Sequence, residues 1–304
     1  MTALLPSICR SARRRRAPTG IDSIAPIDPS TITSLLYWHD ATVGLLDDGS
    51  SFPSDEEEIF SWADKIGGDP AGTNVLVRYT DVKYYLNQTP AGGAAVRADG
   101  VDDDITDHGW DRFEEGSTVQ STEGTIISVA TVPAAASSVS IGLGAPSTSA
   151  NYIYLLASKT SGEVKIKYSG GPTGGSGPGF PDASLLDVNE MTWSPSNLPA
   201  IDDWATYSWG STGSAYFLSV NGKDAGAPTV TAGSNNGKWL SVIPSQYPDG
   251  STGLQKYRFF GTLLGGVNGN YFAGQAAEHL MFSTYIGSKL PGVEEYFRQR
   301  HGHH

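Results

Sequence analysis

The chain has 304 residues, a net charge of −12, 38% hydrophobic residues and 17% charged ones. That apolar mass excludes global disorder, and the acidic balance excludes a phosphate backbone as the ligand of the chain's main body. A single cysteine, Cys9, excludes an intrachain disulfide, and no apolar run approaches the ~18 residues that cross a bilayer, so no membrane insertion is expected.

Residues 1–28 read as an extended basic arm. Arg10, Arg13, Arg14, Arg15 and Arg16 stand against Asp22 and Asp28, which leaves +3 over residues 1–30 and −15 over the rest. Pro6, Pro18, Gly20 and Pro26 interrupt any helix. The five arginines are the candidate anchoring residues, suited to an acidic protein surface. Leu4, Leu5 and Ile8 precede the arginines and no long apolar stretch follows, the reverse of a secretory signal. A chain made in a cytoplasm, and retained there or carried out by lysis or in an assembly, is expected.

Residues 29–304 read as one domain. The chain's 37 glycines, 18 prolines and 14 tyrosines, nearly all of them here, suit short strands joined by tight turns. Residues 44–58 form an acidic loop that includes Asp55-Glu56-Glu57-Glu58. Strands are expected at 126–132, 151–156 and 163–168. In the last of these, Val164, Ile166 and Tyr168 alternate with Lys165 and Lys167, the period of a half-buried strand. The stretch 169–181 is too rich in glycine and proline for a strand interior. Residues 215–220 form a strand ending in Asn221-Gly222, the chemistry of a type I′ hairpin turn. Asn236-Gly237 precedes a strand expected at 239–243, Asn268-Gly269 follows one at 257–264, and the last strand is expected at 278–283. A helix begins at Ser288 or Lys289, with Pro291 in its first turn and Gly302 closing it. Leu290, Val293 and Phe297 form its packing face. His301, His303 and His304 read as a frayed tail.

Catalytic signatures are missing. There is no Gly-x-Ser-x-Gly elbow, no phosphate-binding glycine loop, no His-Glu-x-x-His and no Glu-x-Asp-x-x-Glu. Calcium is the one cofactor to weigh: Asp102, Asp103, Asp104 and Asp107 crowd one loop, and such charges are either solvated or neutralised by a hard cation. Trp110, Trp193 and Tyr247 lie near turn-rich segments; core packing is the ordinary role for such aromatics, and stacking on sugar rings is the weaker candidate role for each.

Four blocks carry a family resemblance. They are Leu35-Leu36-Tyr37-Trp38-His39-Asp40 with Trp62-Ala63-Asp64-Lys65; Val96-Arg97-Ala98-Asp99-Gly100-Val101-Asp102-Asp103; Trp204–Trp209 with Tyr216–Lys223; and Phe272–Phe282 followed by Glu295-Tyr296-Phe297. In this order they resemble the concanavalin A-like lectin/glucanase superfamily in its laminin-G-like form, common in bacterial and phage proteins. Ala98, Ala276 and His279 depart from the larger aliphatic residues usual there. The resemblance implies an all-β, two-sheet antiparallel jelly-roll sandwich behind the arm, with a short C-terminal helix. It also implies that Trp38, Trp62 and Trp204 are packing residues.

Together these features point to a non-enzymatic accessory protein of a tailed-phage virion. Its arm would dock on capsid or tail proteins, and its lectin-like domain would be exposed, able to meet host-surface polysaccharide. A free carbohydrate-binding module and a glycan-degrading enzyme are the alternatives.

Overall fold

The computed structural model describes residues 24–47, 51–66, 75–78, 81–103, 105–107, 121–135, 137–138, 142–144, 152–170, 187–240, 256–259, 262–264, 267–269 and 271–303. It is an all-β sandwich of two antiparallel sheets with one α-helix among the described residues.

The first sheet runs, in spatial order, Lys223–Asp224, Tyr216–Val220, Trp204–Ser211, Gly124–Thr131, Ala273–Phe282, Ala95–Asp99 and Lys83–Tyr85. The long strand Ala273–Phe282 pairs with Gly124–Thr131 on one side. Its other side is shared by Ala95–Asp99 along the first half and Leu35–Asp40 along the second. Because both sides find partners, the strand extends beyond the expected 278–283. The second sheet runs Thr229–Ala232, Asp187–Trp193, Glu163–Gly170, Tyr152–Ser158, Gly142–Gly144, Lys256–Phe259, Ile105–Asp107, Val75–Arg78, Ser61–Ala63 and Leu45–Leu46, with Ser137–Ser138 also on Tyr152–Ser158.

Alternation builds the core. Val164, Ile166 and Tyr168 point inward and are buried, while Lys165 and Lys167 stay half-exposed beside Glu190. Between the sheets lie Trp62, Met191, Trp193, Tyr207, Trp209 and Trp239. A second apolar layer lies on the outer face of the first sheet, where Trp38, Ile127, Val129, Leu280 and Phe282 meet Val293 and Phe297 of the helix Leu290–His301. Gly302 closes that helix at φ 72°, and its N–H reaches the Arg298 carbonyl. The turn expected at Asn221-Gly222 has φ of 49° and 76°, and the Asn221 side chain accepts a hydrogen bond from the Thr206 N–H.

The block Trp62-Ala63-Asp64-Lys65 is a joint between the sheets. Trp62 donates to the Asp40 carbonyl, Asp64 accepts from the Trp38 N–H, and Lys65 stands over the Trp38 ring while pairing with Asp40. Trp38, Trp62 and Trp204 are all buried, as the resemblance implies.

Several expectations are corrected. No strand begins at Trp239: its side chain is fully buried edge-on to Trp209, filling core space without joining a ladder, and residues 241–243 lie outside the described ones. Asn268-Gly269 is not a turn but part of Val267–Gly269, paired with Thr262–Leu264. Residues 24–28, read with the extended arm, pack on the domain: the Ile27 N–H bonds the Gly292 carbonyl, and Asp28 caps the 3₁₀ turn Pro29–Thr31. The C-terminal histidines are not frayed, since His301 and His303 are buried, against Glu278 and Thr206 respectively. His304 lies outside the described residues.

Candidate functional site

The helix covers only part of the outer face of the first sheet. Beside the first half of Ala273–Phe282, the outward side chains of Ala95–Asp99 and Lys83–Tyr85 border a polar cleft of about 940 Å³. Register explains the grouping: Gln275 stands opposite Arg97, and Arg97 opposite Lys83, so all three share one face across three strands. Two residues along each strand, on the same face, come Tyr85 and Asp99.

The walls are held by specific contacts. The Arg97 guanidinium lies 5.7 Å from the Tyr85 ring centre. The Gln275 amide donates to the Gln88 side-chain oxygen at 2.9 Å, and the Trp204 indole N–H donates to the Gln88 carbonyl. Gly274 also lines the cleft, and a Cβ there would come within 2.6 Å of both the Phe272 ring and Thr131 Oγ1, so a larger residue would displace one of these side chains. Among the described residues, neither Lys83 nor Arg97 makes an ion pair. Five carboxylates of the described residues also border the cleft: Glu58, Asp81, Asp99, Asp103 and Asp202.

Asp99 and Asp103 are tied into a turn. The Asp103 carboxylate accepts from the Asp99 N–H at 2.5 Å, and the Asp99 carboxylate from the Val101 N–H at 2.7 Å, around Gly100 at φ 83°. Burial raises the Asp103 pKa; the Asp99 N–H opposes this, and the charges of Asp99, Asp102 and Asp81 raise it further.

The calcium candidates divide. Asp102 and Asp103 lie close to Asp99, each offering one oxygen within 4.8 Å of the others. Calcium needs about six to eight oxygens. The three carboxylates hold six oxygens, two of which also accept the turn's N–H bonds. Asp104 lies outside the described residues, and Asp107 is described only as backbone in the strand Ile105–Asp107.

Of the expected stacking platforms, Trp193 is corrected. It is 2% exposed in the core between the sheets, and its indole N–H is spent on the Gly226 carbonyl, so it offers no face to a sugar. Trp110, Tyr247 and the anchoring residues Arg10, Arg13, Arg14, Arg15 and Arg16 lie outside the described residues. The sequence reading missed Lys83, Tyr85, Gln88 and Gln275. Their signal was present: Lys83-Tyr84-Tyr85 and Val96-Arg97-Ala98-Asp99 alternate inward and outward, but which outward face stays uncovered depends on where the helix lands.

A second arrangement superficially resembles an activated nucleophile. Ser128 Oγ lies 2.8 Å from His279 Nδ1. Both residues are fully buried, in an inward row Tyr207, Ser128, His279, His39 across four paired strands. Burial, reinforced by the neighbouring His39, holds the His279 pKa well below its ordinary value. The row belongs to the core, where the described residues bury both side chains completely.

No protein-family model and no curated protein matches the chain. Among solved structures it is similar to the carbohydrate-binding module of the Ruminococcus gnavus intramolecular trans-sialidase, at 15% identity and TM-score 0.42 over 58% of this chain and 85% of that one. It is similar to Trypanosoma rangeli sialidase at 12% identity and TM-score 0.44, over 88% of this chain and 33% of that one. It is also similar to the leech intramolecular trans-sialidase at 14% identity and TM-score 0.42, over 59% of this chain and 24% of that one.

Proposed function

We propose that the chain is a non-enzymatic glycan-binding module, and that its place is on a tailed-phage particle. In this reading the segment before residue 24 docks on a capsid or tail protein and the sandwich faces outward. The observation that carries it is the open cleft. Tyr85, Arg97, Asp99 and Gln275 stand on one sheet face, with Gln88 and further carboxylates on the loops beside it, and together they offer the donors, acceptors and apolar surface that a polyhydroxylated ring requires. The basic segment supports a particle role, because five clustered arginines complement an acidic protein surface.

Two measurements test this. The intact chain is screened on a broad glycan array, where specific binding is expected and a blank array overturns the glycan reading. Residues 1–23 are deleted, sparing the packed residues 24–28, and incorporation into particles is measured. Loss is expected, and normal incorporation overturns the particle reading.

A glycan-degrading enzyme is the second reading, favoured by one observation. Asp99 and Asp103 are neighbouring carboxylates at a cleft, one with a raised pKa, as in a general acid and its partner. Against it, Asp103 is only 3% exposed and its carboxylate caps a turn. Incubation of any array hit with the protein decides between them: the glycan remains uncut in the binding reading, and its hydrolysis establishes the enzyme.

A further inference from the structure

We infer that the cleft selects glycans without acid groups, favouring neutral and amine-bearing sugars over carboxylated or sulfated ones. This rests on the glycan reading above and adds the charge class of its ligand. Among the described residues, five carboxylates border the cleft against two cations, Lys83 and Arg97. Each cation has a carboxylate beside it on the sheet. The Glu58 backbone bridges to Lys83, and Asp99 follows Arg97 by two residues on the same outward face. The surplus therefore falls to Asp81, Asp103 and Asp202. Arg97 is also occupied sideways by the Tyr85 ring. The cations remain good donors to sugar hydroxyls, but an incoming anion meets a net negative wall. Uncompensated charges some 6–8 Å from a bound acid group weaken its binding by about tenfold in a water-filled cleft at low salt. A neutral ring bears no such cost, and an ammonium gains from the same field.

The test uses the intact chain on a glycan array, followed by titration calorimetry of the strongest neutral hit and its sulfated derivative. Neutral or amine-bearing hits are expected, with sulfation weakening binding by about tenfold. The double variant Asp81→Asn/Asp202→Asn, at two exposed positions, is expected to recover most of that loss with an unchanged melting temperature. If that variant melts lower, the native chain is titrated across sodium chloride concentrations instead. Screening is expected to narrow the gap between parent and sulfated ligand, and a gap insensitive to salt overturns the inference. Hits dominated by acid-bearing glycans, or equal affinity for the sulfated form, overturn the charge selection and leave glycan binding standing. A blank array overturns both.

Discussion

His301, in the last turn of the helix, places Nε2 2.8 Å from the carboxylate of Glu278, in the middle of the long strand of the first sheet. Glu278 is fully buried and also accepts from the Trp38 indole N–H and pairs with Arg300. Arg300 continues to Asp40, which takes Lys65 as well. This chain of charges fastens the helix to the sheet. Replacing Glu278 with alanine leaves three donors facing an empty site, and a cost of about 3–5 kcal/mol is expected, as for breaking a buried ion pair. Glu278→Gln keeps the shape and some acceptors and should cost less, about 1–3 kcal/mol. Urea unfolding of the two variants checks the order. Equal and small losses would mean that the helix is held by Val293 and Phe297 alone.

The buried histidines make stability depend on pH. Burial holds His39 at about 4, against an ordinary 6.5, with hydrogen bonds to the Ala63 and Trp62 backbone opposing weakly. Between those values the unfolded chain binds a proton that the native chain does not. Stability is therefore full above the upper value and declines as pH falls towards the lower, by about 3 kcal/mol for His39. His279 adds in the same direction. Glu294 works oppositely: burial raises its pKa, though the Ser219 and Ser208 hydroxyls partly offset this, so its contribution is present in acid and lost as pH rises through its folded value. Asp40 enters at lower pH. Burial works against its charged form, but Thr42, Arg300 and Lys65 outweigh that and hold its pKa down, so its contribution is lost only as pH falls below the ordinary carboxylate range. Melting temperatures at pH 7.5, 5.5 and 4.5 should fall in that order, and His39→Gln should flatten the slope. A variant that melts with the native slope counts against His39 as a source.

Much of this architecture was legible from residue pattern. The alternation of Val164, Ile166 and Tyr168, the Asn221-Gly222 turn and the Pro291-to-Gly302 helix all fix local conformation within a few residues, where short-range sterics and hydrogen bonding dominate. The cleft was not legible, because Gln275 meets Arg97 across 178 residues of chain, through a register that no local signal sets. Trp193 was left between core and surface for the same reason: a tryptophan near turns is inside or outside according to which sheet closes over it. The C-terminal histidines read as a tail because the sequence does not display their buried partners, Glu278 and Thr206.

Residues 24–28 are held by a close approach at Gly292. A Cβ there would lie 2.5 Å from the Ile27 side chain and 3.1 Å from the Ala25 carbonyl. Gly292→Val should therefore lift this segment off the helix and cost about 1–3 kcal/mol through overpacking. The sharper readout is limited proteolysis. Cleavage at Ile24–Ile27 should accelerate in the variant while the sandwich stays intact, and unchanged cleavage would show that the segment is held elsewhere.

Tyr85 and Trp193 separate binding from packing. Tyr85 is partly exposed at the cleft and carries the Arg97 contact, whereas Trp193 fills the core. Tyr85→Ala should weaken any glycan hit by about tenfold, the usual scale for losing one aromatic contact in a binding site, with a melting temperature close to native. Trp193→Ala should cost about 3–5 kcal/mol of stability, and the fraction that remains folded should bind glycan with native affinity. Calorimetric titration beside thermal melts for both variants makes the comparison. If Trp193→Ala abolished binding in the folded fraction while Tyr85→Ala left it intact, the ligand would lie at the other face of the sandwich and the cleft assignment would fall.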